Sequence, residues 1–79
     1  MISSRQIKAA RALLSWKGQD LADKSGVGVA TLRRYEAQEG IPNANKFVLK
    51  AIKSCLEEAG IVFSGDPVKG PGVSLNQKD

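Results

Sequence analysis

The segment LADKSGVGVATLRRYE, residues 21–36, decides how this chain is expected to fold. Its residue pattern predicts one short helix, a tight turn and a second helix. Ala22 is small where two steeply crossing helices bring their backbones together, and Gly26 accepts the positive φ angle that such a turn needs. Leu21 and Leu32 would then pack the two helices against each other, and Tyr35, three residues after Leu32, would also face inward. The pattern predicts a helix pair in which the outer face of the second helix, from about residue 28 to 37, is left free.

The first half of the chain adds one further helix before this pair. A capping box formed by Ser3 and Gln6 starts a helix that is expected over residues 4–15. Arg11 is placed on the outer side of that helix, away from its apolar stripe. The first helix of the pair is expected over residues 19–24. These assignments predict a helical N-terminal half.

A fourth helix is predicted after a loop that contains glycine and proline, residues 38–43. This helix is expected over residues 44–59, with Asn43 as its N-cap and Gly60 as its stop. Cys55 falls within the apolar stripe of the helix. It is therefore interpreted as a small core residue in preference to a reactive thiol.

After Gly60 the helical spacing of apolar residues ends and the composition changes. Two β-branched or aromatic runs, residues 61–63 and 73–75, are separated by a loop rich in glycine and proline and predict two short strands. The expected fold class is all-α, a compact domain of four to five helices over residues 1–60. A short β extension with a frayed end would follow over residues 61–79. Because two strands alone are only marginally stable, the extension is expected to pair with a second copy or to fold back on its own helices as a hairpin.

Composition narrows the possible functions of these 79 residues. The formal net charge is +4, which favours polyanionic partners. Histidine is absent and there is one cysteine, so catalysis, a zinc site and an internal disulfide are not expected. No apolar run is long enough for a membrane span, and the first residues lack the apolar stretch of a secretory signal. We expect a cytoplasmic protein that is not an enzyme and needs no cofactor.

Short matches spread along the chain carry a resemblance to a known family. They are, in order, AARALLSW at residues 9–16, DLA at 20–22, GV at 26–27, TL at 31–32, Glu36, the spaced residues Leu49, Ala51 and Ile52, then 56–63 and GPGVSL at 70–75. On these residues the chain resembles the Cro and phage-repressor (XRE) family of helix-turn-helix proteins. The resemblance implies a lambda-repressor-like fold and a regulator that inserts its third helix in the major groove of double-stranded DNA.

The resemblance also implies which residues contact DNA. Phosphate contacts fall on the loop before helix 2 and on its first residues, namely Lys17, Gly18 and Gln19. Base contacts fall on the exposed early positions of helix 3, namely Gly28, Val29, Ala30, Arg33 and Arg34, with Thr31 at the edge of the contact. The chain departs from the family at Gly18, where glutamine is common, and at residues 28–30, where hydroxyl and long polar side chains are common. Direct readout therefore falls mainly on Arg33 and Arg34.

Two functions follow from these observations. The first is a sequence-specific transcriptional regulator, a repressor or accessory regulator of phage or mobile-element type, that binds a roughly palindromic operator as a homodimer. The second is a protein-interaction module of the same fold that acts as an antiactivator on another regulator. Gly18, Val29 and Ala30 favour this alternative, because they lack the polar side chains that contact DNA and an apolar helix face suits a groove in a protein partner.

Overall fold

The computed structural model describes residues 1–76, which form four α-helices followed by a two-stranded antiparallel sheet. The elements are α1 (Ser4–Leu14), α2 (Gly18–Ser25), α3 (Val29–Glu36), α4 (Lys46–Glu58), β1 (Ile61–Ser64) and β2 (Gly72–Leu75). The chain is therefore mainly helical, and the predicted all-α class is only approximate because the sheet is part of the fold. The frayed end predicted for the chain falls on residues 77–79, outside the described part. Within residues 1–76, no helix combines the length and apolarity that a membrane crossing requires.

The core is built from the inward faces of all four helices and from the first strand. Its buried apolar residues are Ile2, Ile7, Ala10, Leu21, Ala22, Leu32, Tyr35, Leu49, Ile52, Leu56 and Ile61. Helix α2 packs against α3 and α4, and α1 packs against α3 and β2. Both helices of the predicted pair are thus held by the same core, which leaves the outer face of α3 in solvent.

The start of α1 is held by the predicted capping box and by the end of α3. Ser3 Oγ accepts a hydrogen bond from the Gln6 backbone N–H at 3.2 Å, and Gln6 Oε1 accepts one from the Ser3 N–H at 3.0 Å. Ser4 then donates its hydroxyl to the Tyr35 carbonyl oxygen at 2.6 Å and its backbone N–H to the Gly40 carbonyl oxygen at 2.9 Å. These bonds fix the C-terminal end of α3 against the N-terminus of α1.

The start of α4 differs from the prediction by two residues. Asn45, and not Asn43, is the N-cap: its Oδ1 accepts from the backbone N–H groups of Phe47 at 2.8 Å and Val48 at 3.4 Å. Asn43 instead donates its backbone N–H to Gln38 Oε1 at 2.8 Å, which keeps it in the loop. Either asparagine has the chemistry of a cap, so composition alone does not distinguish them.

The two strands form a hairpin that folds back on the helices of the same chain. Ile61 lies opposite Leu75 and Ser64 opposite Gly72, with β1 packed against α4 and β2 against α1. The Gln6 side-chain amide donates to the carbonyl oxygens of Gly72 at 3.1 Å and Ser64 at 3.4 Å, which ties the hairpin to the first turn of α1. Of the two arrangements expected for the extension, the intramolecular hairpin is the one found. Pairing with a second copy stays a prediction.

Candidate nucleic-acid interface

The turn between α2 and α3 has the geometry that its glycine predicts. Gly26 adopts φ = 76° in the left-handed region, and its N–H donates to the Ala22 carbonyl oxygen at 3.0 Å to close α2. The Val27 N–H then donates to Ser25 Oγ at 3.3 Å. A residue with a Cβ is disfavoured at the φ of Gly26. The prediction of a positive φ at this position is confirmed.

The inward face of α3 anchors it to the core. Leu32 is fully buried and Tyr35 is 5% exposed, as their spacing of three residues predicts. Arg34 is exposed, and its guanidinium carbon lies 5.8 Å from the centroid of the Tyr35 ring, within the distance of a cation–π contact. The core therefore holds α3 through Leu32 and Tyr35 and leaves Arg34 at the surface.

A bidentate ion pair joins the end of α3 to α1. Arg11 Nε donates to Glu36 Oε2 at 2.8 Å, and Arg11 Nη2 donates to Glu36 Oε1 at 2.6 Å. A third bond runs from Arg11 Nη1 to the Trp16 carbonyl oxygen at 3.1 Å. The two side chains are only 21% and 12% exposed. The hydrogen bond to Glu36, which outweighs the opposing effect of burial, raises the pKa of Arg11. The pair therefore fixes the C-terminal end of α3 relative to α1.

The outward placement predicted for Arg11 is therefore wrong. Arg11 lies four residues after Ile7 and three before Leu14, so it shares the inward-facing stripe of α1. That spacing, together with an acid at the end of α3, is the signal that could have identified the pair. Arg11 is a positioning residue that sequence reasoning missed.

Replacing Arg11 with methionine should lower the free energy of unfolding by about 2–3 kcal/mol, because Glu36 would keep a largely buried carboxylate without its partner. Urea denaturation followed by circular dichroism measures this loss. Lys8→Met is the matched control, since Lys8 is exposed on the same helix, and it should change stability by less than about 0.5 kcal/mol. The double variant Arg11→Met/Glu36→Leu should regain part of the loss. Equal stability of Arg11→Met and Lys8→Met would contradict this role.

The positions assigned to base reading differ in their exposure. Gly28, Ala30, Arg33 and Arg34 are exposed on or just before α3. Val29 is half-buried and packs against the core cluster. Its side chain is therefore shared between the core and the outer surface, so less of it faces outward than its early position in α3 suggested.

The electrostatics of this face are set by the two arginines. The only acidic residue of α3 is Glu36, and its carboxylate is engaged by Arg11. No ion pair within residues 1–76 involves Arg33 or Arg34. Thr31 is half-buried at the edge of the face. The outer side of α3 thus carries uncompensated positive charge.

The positions assigned to phosphate contact lie at the start of α2. Lys17 is exposed, and its backbone N–H donates to Asp20 Oδ2 at 2.7 Å, which caps the helix. The Gln19 side-chain amide donates to Asp23 Oδ1 at 2.8 Å on the helix surface. A Cβ placed on Gly18 would meet no atom within 4 Å. Gly18 therefore has open space at the first side-chain carbon, so crowding at that atom does not explain the absence of a side chain.

Cys55 lies half-buried on α4 against the core. Burial, and to a lesser extent the nearby Glu58, raises the pKa of its thiol. The thiol is accordingly protonated at neutral pH and weakly nucleophilic. This placement supports its interpretation as a packing residue.

Comparison with known proteins agrees with this geometry. A family model described as helix-turn-helix matches residues 7–49, which is more than half of the chain. The chain belongs to the Cro/C1-type (XRE) helix-turn-helix family. The searches of curated proteins and of solved structures gave no match. As a member of the XRE family, the protein is a DNA-binding regulator, and such domains are typically not enzymes. The matched region ends within α4, so the hairpin lies outside it.

Proposed function

We propose that this XRE-family protein is a sequence-specific transcriptional regulator that inserts α3 in the major groove of duplex DNA. The observation that carries the proposal is the outer face of α3. Arg33 and Arg34 are exposed there and form no ion pair within residues 1–76, while the inner face of the same helix is buried in the core. Arginine forms bidentate hydrogen bonds with guanine O6 and N7 in that groove. Ala30 adds a methyl group that packs on thymine. Gly28 and the exposed part of Val29 let the helix approach closely.

The phosphate contacts proposed for the same complex come from the start of α2. Lys17 offers a charged side chain, and Gly18 and Gln19 offer a backbone N–H and an amide. Thr31 is placed to contact a phosphate at the edge of α3. Contacts of this kind position the domain on DNA without reading its sequence. The shortage of long polar side chains at residues 28–30 leaves sequence discrimination to the two arginines.

The regulator is proposed to act as a repressor or accessory regulator of phage or mobile-element type, bound as a homodimer. One small domain contacts only a few base pairs, so useful discrimination requires two half-sites about one helical turn apart. The hairpin of residues 61–75 is proposed as the dimer contact, in addition to its packing on α1 and α4. Strand edges favour pairing with another chain, and Val62 is 48% exposed on the outer side of the hairpin.

Affinity for a random-sequence duplex should fall steeply with salt, with a log–log slope of about −0.9 for each phosphate neutralised. Fluorescence anisotropy across a salt series measures the slope. Lys17→Ala should reduce the magnitude of the slope by about 0.9, the contribution of one phosphate contact. Lys69→Ala, in the loop between the strands, should leave the slope unchanged. A flat salt response would overturn the proposal.

The alternative function is a protein-interaction module that acts as an antiactivator. It is favoured by Gly18, Val29 and Ala30, none of which has a side chain that hydrogen-bonds DNA. Under this alternative, the outer face of α3 would dock in an apolar groove of another regulator. Absence of duplex binding at low salt, with retained folding, is the result that would favour it.

A further inference from the structure

A groove on the surface lies between the N-terminus and α4, and the proposed DNA contacts do not use it. It has a volume of about 480 Å³. Its lining residues are Met1, Ile2, Lys46, Leu49, Lys50, Lys53, Ser54 and Glu57. Ile2 and Leu49 are buried and form the apolar floor, while Met1 is 70% exposed at the wall. The groove therefore combines an apolar floor with a basic rim.

The basic rim follows the length of α4. Lys46, Lys50 and Lys53 are spaced by four and three residues, so they share one side of the helix. No carboxylate within residues 1–76 pairs with any of them. Among the described residues, Glu57 is the only acid that lines the groove, one turn beyond Lys53. The rim consequently carries net positive charge that the described part of the domain does not neutralise.

An exposed aromatic side chain extends the apolar surface beside the groove. Phe47 is 83% exposed, more than any other large apolar residue of the described part. It lies three residues before Lys50 and is therefore its neighbour on the helix surface. Exposing Phe47 in water contributes nothing to folding. Apolar area and lysine side chains thus alternate across this side of α4.

We propose that this groove docks an acidic amphipathic helix of a partner protein. From Lys46 to Glu57 the groove spans about 16 Å along α4, which is roughly three helical turns. A helix with apolar anchors on one face fits such a groove, and acidic residues on its flanks would pair with the lysines. This contact goes beyond DNA binding, because it brings a second protein to the regulator.

Other occupants match the groove less well. Duplex DNA would pair with the lysines but would leave the exposed apolar side chains of Met1 and Phe47 without a partner. A second copy of the chain would present apolar side chains among positive charges, since Leu13 lies on α1, whose charged residues are all basic, and Phe47 lies beside Lys50. Charge complementarity therefore favours an acidic partner.

A synthetic amphipathic peptide tests the proposal on the full-length protein. The probe is a fluorescein-labelled helix of about 15 residues, roughly four turns, with leucine on one face and glutamate on the flanks. A scrambled peptide of the same composition is the control for simple charge attraction. The probe should bind at least about tenfold more tightly than the scrambled peptide, because only the probe presents a continuous apolar face. Shift changes in ¹⁵N-labelled protein should map to residues 1–2 and 46–54.

Matched charge reversals locate the binding site. Lys46→Glu/Lys50→Glu, both at exposed positions, should weaken probe binding by about tenfold or more. Lys8→Glu/Lys69→Glu changes the net charge equally at exposed positions on α1 and in the hairpin loop, and should weaken it by no more than about twofold. Both double variants should lose duplex affinity to the same extent. Equal probe binding by the two variants, or shifts centred on α3, would overturn the proposal. A selective loss of DNA binding in Lys46→Glu/Lys50→Glu would also overturn it, because the rim would then serve DNA.

Discussion

Replacing Arg33 and Arg34 together with alanine should lower affinity for the preferred DNA site by about 2–6 kcal/mol, since each good bidentate base contact contributes about 1–3 kcal/mol. The loss on random duplex should be smaller, because there the two side chains supply only charge. The preferred site is first obtained by selecting bound sequences from a random duplex pool. Anisotropy titrations on the selected and random duplexes then give both losses.

The matched control for the arginine pair lies on α1. Arg5→Ala/Lys8→Ala removes the same charge from two exposed positions outside α3. This variant should weaken binding to the selected and random duplexes about equally. The assignment of α3 as the recognition helix is contradicted if the arginine variant shows the same uniform loss as this control.

Removing the hairpin by ending the chain at Gly60 should lower the free energy of unfolding by at least about 3 kcal/mol, because burying one large apolar side chain contributes about 1.5–3 kcal/mol. Ile61 is part of the core and is 2% exposed. The core is also contacted by three partly buried residues of the hairpin, Phe63, Val73 and Leu75. Gln6 would also lose its two carbonyl acceptors. Urea denaturation of the truncated and full-length chains measures the difference. A truncated chain as stable as the full-length one would show that the hairpin is not part of the folding unit.

Truncation alone does not separate the packing of the hairpin from its proposed role in a dimer. Val62→Lys makes that separation, because Val62 lies on the exposed side of β1 and its replacement leaves the core intact. Light scattering should show a dimer for the wild type and a monomer for Val62→Lys, with little change in stability. If the wild type is monomeric at high concentration, the proposed role of the hairpin in a dimer is contradicted.

Local signals predicted much of this fold correctly. The capping box at Ser3 and Gln6, the positive φ of Gly26 and the inward spacing of Leu32 and Tyr35 each depend on residues close in sequence. Their outcome is decided by backbone chemistry within one or two turns, so a single sequence is sufficient to read them. The family match over residues 7–49 includes Gly26, Leu32 and Tyr35 and begins just after the capping box.

Features that depend on contacts between residues far apart in the chain were harder to predict from the sequence. The ion pair of Arg11 with Glu36 joins two helices, and its existence depends on how α3 crosses α1. The packing of the hairpin depends on Gln6 reaching carbonyl groups at Ser64 and Gly72, far along the chain. Periodicity places a side chain on a helix face but does not say which other element covers that face. For the same reason, the half-burial of Val29 could not be predicted from its position in α3.

Dimethyl sulfate footprinting on the selected duplex tests directly whether α3 enters the major groove. Guanine N7 lies in the major groove and adenine N3 in the minor groove, so methylation at the two atoms reports which groove is occupied. Insertion of α3 should protect guanine N7 in two half-sites about one helical turn apart and leave adenine N3 unchanged. That protection should be lost in Arg33→Ala/Arg34→Ala. Protection confined to adenine N3, or full binding with guanine N7 unprotected, would contradict insertion of α3 in the major groove.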